Sequence, residues 1–151
     1  MAGIAYDIDI AAWAQEQSRL LRAGRFDSLD IEHIAEEIED VSKSEQRELA
    51  SRMAVLLAHL LKWQFQPERR GNSWRRTIIA QRKEIAYHLE EAPSLKAKLT
   101  DVRWFDMVWS KALAQAASDT GLDVFPEICH WVTDEILGLE FWPEKYEIIL
   151  G

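Results

Sequence analysis

The sequence predicts an all-α protein, an antiparallel helical bundle of four main helices with a short C-terminal helical element. Apolar residues recur at spacings of three and four along most of the chain, the period of an amphipathic helix, and no stretch of four or more residues alternates convincingly as a strand does. Short turns separate the long helical segments, which favours antiparallel neighbours. We expect the 151 residues to form one domain, 1–151, around a buried core.

The first helix is predicted over about residues 7–23. Trp13, Gln17 and Leu20 recur on one face, and Gly24 follows as a residue that can terminate the helix in a left-handed conformation. Asp30 is a candidate cap for the second helix, because its carboxylate can accept the free amide hydrogens of a first turn. The two helices are therefore joined by a short turn.

The second helix continues to Trp63, until Pro67 excludes further regular helix. Ser42 and Ser44 interrupt the apolar period mildly and leave two alternatives open, one long helix or two segments with a kink near Ser44. The period continues after them, which favours the long helix. Its N-terminal part is predicted to form one apolar face, and its later part to turn Lys62 towards solvent. That first apolar face consists of Ile31, Ile34, Ala35, Ile38 and Val41.

The third helix is predicted to start after Gly71-Asn72-Ser73, with Asn72 or Ser73 as its cap. The fourth helix is predicted to run from Pro93 to Gly121, since proline suits a first turn and glycine suits a helix end.

The last thirty residues are less regular than the rest of the chain. Thr133 is a candidate cap for a short helix, and Phe141 and Trp142 are candidate aromatic anchors. This segment is the short C-terminal element of the prediction.

The formal net charge is −8 and the isoelectric point is near 5.0, which disfavours a general nucleic-acid binder. The charge is segregated: residues 27–48 carry nine acids against two bases, and residues 69–83 carry six bases and no acid. We expect these two segments to face each other within the bundle or across a dimer.

The single cysteine, Cys129, excludes an internal disulfide and is typical of a reducing compartment. The N-terminus has no basic region, and no apolar run approaches the roughly 20 residues that span a membrane. A cytoplasmic protein without membrane contact is the expectation.

An arginine-rich turn between the second and third helices is the strongest candidate binding site. Arg75 and Arg76 occupy a predicted first helical turn, where the helix dipole is positive and cations are disfavoured. Either acids of the second helix or of the C-terminal tail pair with them, or they hold an anion, a phosphate or a single nucleic-acid strand. We call this set the arginine–tryptophan corner: Trp63, Arg69, Arg70, Trp74, Arg75 and Arg76.

His59 and Gln64 precede this corner on the second helix. Gln64 falls inside the apolar arc and His59 at its edge, so both are predicted to be structural polar groups that bond to backbone or to another helix. The alternative is that His59 acts as a general base.

No metal site and no cofactor are predicted. His33 has Glu36 and Glu37 at helical spacing, but no second copy of such a pattern exists, as a di-iron bundle would require. Cys129 adjoins His130, and neighbouring side chains diverge too far for a catalytic dyad.

Three segments carry a family resemblance: Trp13-Ala14 with LLR at 20–22, AEEIE at 35–39, and HLLKWQFQPERR at 59–70 followed by Ser73-Trp74. With them, the chain resembles the bacterial family called domain of unknown function 29, over about residues 6–144. The resemblance implies an all-helical single domain and supplies no activity, cofactor or catalytic residue. The chain departs from the family pattern at His33, Ser42 and Cys129-His130-Trp131.

Together these observations favour a non-enzymatic protein–protein interaction module, with a protein partner or as a homodimer. The first alternative is anion or single-stranded nucleic-acid binding at the arginine–tryptophan corner. The second alternative is an enzyme that uses His59 as its general base.

Overall fold

The computed structural model describes residues 5–144, and within this range the protein is all-α with no strand. Four main helices and one short C-terminal helix confirm the predicted fold class. Short 3-10 helices cover Phe26–Ser28, Pro67–Arg69 and Pro93–Thr100. The α-helices are α1 (Ile10–Arg22), α2 (Ile31–Phe65), α3 (Asn72–Glu91), α4 (Val102–Thr120) and α5 (Thr133–Leu137). None of the described helices is long and apolar enough to cross a membrane.

The chain forms two compact units, Met1–Ser44 and Glu45–Gly151. Helix α2 is continuous through Ser42 and Ser44, so the prediction of one long second helix is confirmed. One domain over 1–151 stays a prediction.

In the first unit, α1 begins later than predicted because Asp9 caps it, accepting the amide hydrogen of Ala12 at 3.0 Å. Gly24 follows the helix with a φ of 72°, a conformation that favours glycine, and so terminates α1 as predicted. The Asp30 carboxylate lies 3.5 Å from the His33 amide nitrogen at the start of α2, close to the predicted capping position.

In the second unit, the second half of α2 supplies a larger share of the core than any other helix does. Leu49, Met53, Leu57 and Leu60 are fully buried, and α3 and α4 pack their own apolar residues into the same cluster. Helix α3 runs antiparallel to α2, as predicted. A short turn joins the end of α2 to the start of α3, and Glu45, twenty residues before the end of α2, contacts His88 near the end of α3.

Three predicted helix starts are wrong. Gly71, not Asn72 or Ser73, is the N-cap of α3, and no side chain caps that helix. The predicted fourth helix is divided, because Asp101 is extended and caps α4 by accepting the amide hydrogen of Trp104 at 3.1 Å. Thr133 is the first residue of α5, and the Glu135 side chain accepts the amide hydrogen of the preceding Val132 at 3.0 Å. Gly121 ends α4 with a φ of 71°, as predicted.

The prediction that Lys62 faces solvent is also wrong, since this residue is only 6% exposed. Its stem lies in the last turns of α2, and its ammonium group reaches the Asp119 carboxylate at the end of α4. The contact joins the C-terminal ends of α2 and α4.

Candidate functional site

The arginine–tryptophan corner is built where α2 stops. Helix α2 ends at Phe65, Pro67 opens a short 3-10 turn, and Gly71 starts α3, so the chain reverses within a few residues. This reversal places the end of α2 beside the first turns of α3. Residues from both helices and from the segment after α5 meet there.

A pair of tryptophan rings forms the centre of the corner. The Trp63 and Trp142 ring centroids are 4.7 Å apart, and the guanidinium carbon of Arg75 lies 5.5 Å and 5.2 Å from them. The guanidinium carbon of Arg70 lies 5.1 Å from the centroid of the Trp63 ring. Arg70 also donates hydrogen bonds to the carbonyl oxygen of Trp63 at 2.6 Å and to the carbonyl oxygen of Pro143 at 3.3 Å. These are cation–π distances, so the aromatic faces stabilise the arginines directly.

The structure brings only part of the predicted set together. Trp63, Arg70 and Arg75 share the ring pair, whereas Trp74 lies under the Lys62 ammonium group at 5.4 Å. Arg76 is exposed and donates to the Asn72 carbonyl oxygen of its own helix at 3.3 Å, and Arg69 is exposed on the 3-10 turn.

Arg82 belongs to this region and sequence reasoning did not single it out. It is 2% exposed, its guanidinium lies 5.5 Å from the Trp142 ring, and it donates to the carbonyl oxygens of Ile136 at 2.8 Å and Phe141 at 2.7 Å. Burial lowers the pKa of Arg82 from its ordinary value. Its partners lie more than fifty residues away in sequence, so helical periodicity carries no signal for them.

The expected ion pairs of the corner are not found among residues 5–144. No carboxylate in that range lies within salt-bridge distance of Arg75 or Arg76, and pairing with the tail beyond residue 144 falls outside the described residues. Stacking on Trp63 and Trp142 offsets part of the unfavourable position of Arg75 at the positive end of α3.

His59 and Gln64 lie on α2 before this corner. His59 is half-buried, and its Nδ1 donates to the Val55 carbonyl oxygen at 2.8 Å, one turn earlier. Burial lowers the pKa of His59, partly opposed by that hydrogen bond. Gln64 is half-buried and lines a cavity of about 250 Å³ together with Trp109 and Trp131.

Cys129 is half-buried, and its thiol donates to the Trp131 carbonyl oxygen at 3.5 Å. Burial raises the pKa of Cys129, which disfavours the thiolate that nucleophilic chemistry requires. The adjacent His130 is exposed.

In the first unit, His33 is engaged with aromatic and acidic neighbours. Its ring stacks on Tyr6 with centroids 4.1 Å apart, and its Nδ1 lies 2.7 Å from Asp30, which raises the pKa of His33 and lowers that of Asp30. Asp30 also accepts from the Trp13 indole at 3.0 Å. The Tyr6 hydroxyl donates to Glu37, and this bond raises the pKa of Tyr6 to about 12.

An open groove lies beside these residues, between α1 and the first part of α2, and we call it the α1–α2 groove. Its volume is about 390 Å³. The predicted apolar face of α2 is only partly covered there: Ile38 is 66% exposed and Val41 is 65% exposed. The groove is lined by Trp13, Ala14, Gln17, Ser18, Leu21, Ile34, Glu37, Ile38 and Val41.

One group of side chains in the second unit has the donor types of a metal site. Glu45 and Glu48 on α2 and His88 on α3 each offer one ligand atom, and the three atoms lie within 4.8 Å of one another. Glu45 and His88 are 43 residues apart, so the sequence alone did not indicate that they meet. The only local sequence pattern that points to this group is the spacing of three residues between Glu45 and Glu48, which places both on one helix face.

Comparison with known proteins identifies the family. The model of the family described as Domain of unknown function DUF29 matches residues 5–142. No curated protein and no solved structure matches the chain. Because the family model covers most of the 151 residues, the chain belongs to the family Domain of unknown function DUF29.

Proposed function

We propose that the protein is a helical interaction module that binds an amphipathic helix of a partner protein in the α1–α2 groove. The observation that carries the proposal is a contiguous apolar surface on two adjacent helices. Ile34, Ile38 and Val41 recur on α2 at helical spacing, and Leu21 faces the same groove from α1. Contiguous exposed apolar patches mark binding surfaces, unlike single exposed apolar residues. A groove between two helices suits the apolar face of a third.

The charge around the groove supports a basic partner. Residues 27–41 contain seven acids and no lysine or arginine, and Glu37 lines the groove itself. A second copy that packed groove against groove would bring these acids close together, which is unfavourable. A helix with an apolar face bordered by lysine and arginine complements both features.

The test uses two synthetic peptides of about 18 residues with the same leucine face, one flanked by lysines and one by glutamates. Fluorescence anisotropy of the labelled peptides at low salt is expected to show saturable binding of the lysine peptide only. The double substitution Ile38→Gln with Val41→Gln is expected to weaken binding at least about tenfold, because it removes two exposed apolar contacts.

The matched control is Val102→Gln with Met107→Gln, which changes two exposed apolar residues of α4. It is expected to bind as the wild type does. Equal binding of both peptides, or no effect of the groove substitutions, contradicts the proposal. If the protein self-associates and the groove substitutions abolish that self-association, the occupant of the groove is a second copy of this chain and not a partner helix.

Anion or single-stranded nucleic-acid binding at the arginine–tryptophan corner is a second candidate. It is favoured by one observation: the first turn of α3 has no side-chain cap and ends at Arg75, with Arg76 directly after it. A first-turn amide and an arginine are both suitable donors to a phosphate. Binding of a single-stranded oligonucleotide is expected to weaken with salt and with Arg75→Gln plus Arg76→Gln.

The control for this candidate is Arg103→Gln, because Arg103 is exposed in the first turn of α4, which Asp101 caps. Oligonucleotide binding that depends equally on Arg103 contradicts a site at the corner. In the third hypothesis, an enzyme with His59 as general base, the Val55 contact fixes Nδ1 as the donor nitrogen, so Nε2 would be the basic atom.

A further inference from the structure

We propose that Glu45, Glu48 and His88 bind a divalent first-row transition-metal ion such as Zn²⁺. The three residues belong to the second unit and are separate from the α1–α2 groove. The inference therefore goes beyond the proposed function and fails or succeeds independently of it.

The local geometry comes from two neighbouring helices. Glu45 and Glu48 are three residues apart on α2, so their carboxylates share one helix face, and His88 projects from α3 towards them. The His88 Nε2 lies 2.5 Å from Glu45 Oε2 and 3.9 Å from Glu48 Oε2. Ligands about 2.0–2.2 Å from a zinc ion lie roughly 3–3.5 Å apart, so each carboxylate needs a shift of about half an ångström or somewhat more. Both glutamate side chains reach solvent and can make that shift.

The histidine of the group is buried, and its Nε2 faces the two glutamates. His88 is 6% exposed, and its Nδ1 has no hydrogen-bond partner among the described residues. Its polar contacts are therefore made by Nε2 and are directed into the pocket between the helices. Burial fixes the ring, so the nitrogen is oriented before any ion arrives.

The charge of the surrounding pocket also favours a cation. The pocket has a volume of about 140 Å³ and is lined by two further glutamates, Glu84 and Glu91, and by Arg52. Arg52 bonds Glu48 at 3.1 Å and lies 3.9 Å from Glu84. Four carboxylates and one guanidinium give a formal charge of −3 when the imidazole is neutral. A divalent ion relieves this repulsion.

The mixed donor set selects the class of ion. Imidazole nitrogen suits zinc and the neighbouring first-row transition metals, whereas Mg²⁺ and Ca²⁺ prefer oxygen alone. With one nitrogen and two to four carboxylates, we expect Zn²⁺ to bind more tightly than Mg²⁺. The remaining coordination positions are open to Glu84, Glu91 or water.

Isothermal titration of the chelator-treated 151-residue chain with Zn²⁺ tests the site. The expected result is one Zn²⁺ per chain, with Mg²⁺ at least about tenfold weaker. Glu45→Gln and Glu48→Gln, which keep the side-chain shape, are each expected to weaken Zn²⁺ binding at least about tenfold. The control Glu32→Gln with Glu39→Gln removes two exposed carboxylates of the same helix and is expected to leave binding unchanged.

The NMR chemical shifts of the imidazole nitrogens give a second measurement, because direct coordination changes them and a nonspecific change in charge does not. Zn²⁺ is expected to shift Nε2 of His88 and to leave the exposed His130 unchanged. No stoichiometric binding, binding that survives both glutamine substitutions, or bound Zn²⁺ without a change at His88 would each overturn the proposal.

Discussion

Lys62 on α2 and Asp119 on α4 are joined by an ion pair of 2.9 Å, although Lys62 is 6% exposed. The pair links the C-terminal ends of two helices of the second unit. Asp119 also accepts from Gln115 at 2.7 Å, which orients its carboxylate. The hydrogen bond from Lys62 lowers the pKa of Asp119.

Asp119→Asn is expected to destabilise the protein by about 1–3 kcal/mol, because it leaves the Lys62 ammonium group buried without a counter-charge. The partial exposure of Asp119 keeps the cost below that of a fully buried pair. Since the folded pKa of Asp119 is depressed, its contribution is present above about pH 4 and is lost as the pH falls through the folded value. Urea denaturation from neutral to acid pH measures both effects. A constant difference between variant and wild type at all pH values contradicts this account.

His59→Asn is expected to change how stability depends on pH between about pH 7 and pH 5. Burial depresses the folded pKa of His59, so the stability it contributes is present above about pH 6.5 and is lost as the pH falls through the folded value. The asparagine amide can still donate to Val55 but does not titrate. Thermal or urea denaturation is expected to show a smaller acid loss in this variant. The exposed His130→Asn is the control and is expected to match the wild type.

Arg82→Met is expected to destabilise the protein by about 2–4 kcal/mol. The substitution keeps an apolar stem but leaves the carbonyl oxygens of Ile136 and Phe141 without their buried donor. Lys83→Met, at an exposed neighbour on the same helix, is expected to stay within about 0.5 kcal/mol of the wild type. Urea denaturation measures both, and equal stability of the two variants would show that Arg82 does not hold the C-terminal segment.

Gly71→Asp is expected to raise the free energy of unfolding by a few tenths to about 1 kcal/mol. The N-cap backbone is extended, and a Cβ at Gly71 meets nothing within 4 Å, so the new carboxylate is free to accept the first-turn amide hydrogens of α3. Gly71→Ala lacks an acceptor and is expected to give no gain. If the corner binds anions, Gly71→Asp is also expected to reduce oligonucleotide binding. If the free energy of unfolding of Gly71→Asp equals or falls below that of the wild type, the first turn of α3 does not lack a side-chain cap.

Sequence periodicity predicted the main helices because a helix face is a local property. The spacing of Leu49, Met53 and Leu60 and the stop at Pro67 both act within one or two turns. The cap of α3 was predicted at the wrong residue because Gly71, Asn72 and Ser73 compete within one turn. The backbone path between α2 and α3 decides which of them is extended.

The candidate sites show the same division. The sequence alone placed Trp63, Arg70 and Arg75 near one corner, since they lie in or beside the short connection between two helices. It did not indicate that Arg82 reaches the segment after α5, or that His88 meets Glu45. Contacts between distant segments depend on helix rotation and register, which a single sequence does not reveal.

By itself, then, the sequence determined the all-α class and the four main helices, because 3.6-residue periodicity and helix-stopping residues operate locally. It favoured a continuous second helix without deciding between that and a kink at Ser42 and Ser44. Only the tertiary structure decided which polar groups are buried and what they contact. Lys62 was expected in solvent and is paired with Asp119, and Ile38 and Val41, on the predicted apolar face of α2, are exposed. Burial depends on which helix face a neighbour covers, and that choice is made only when the helices pack.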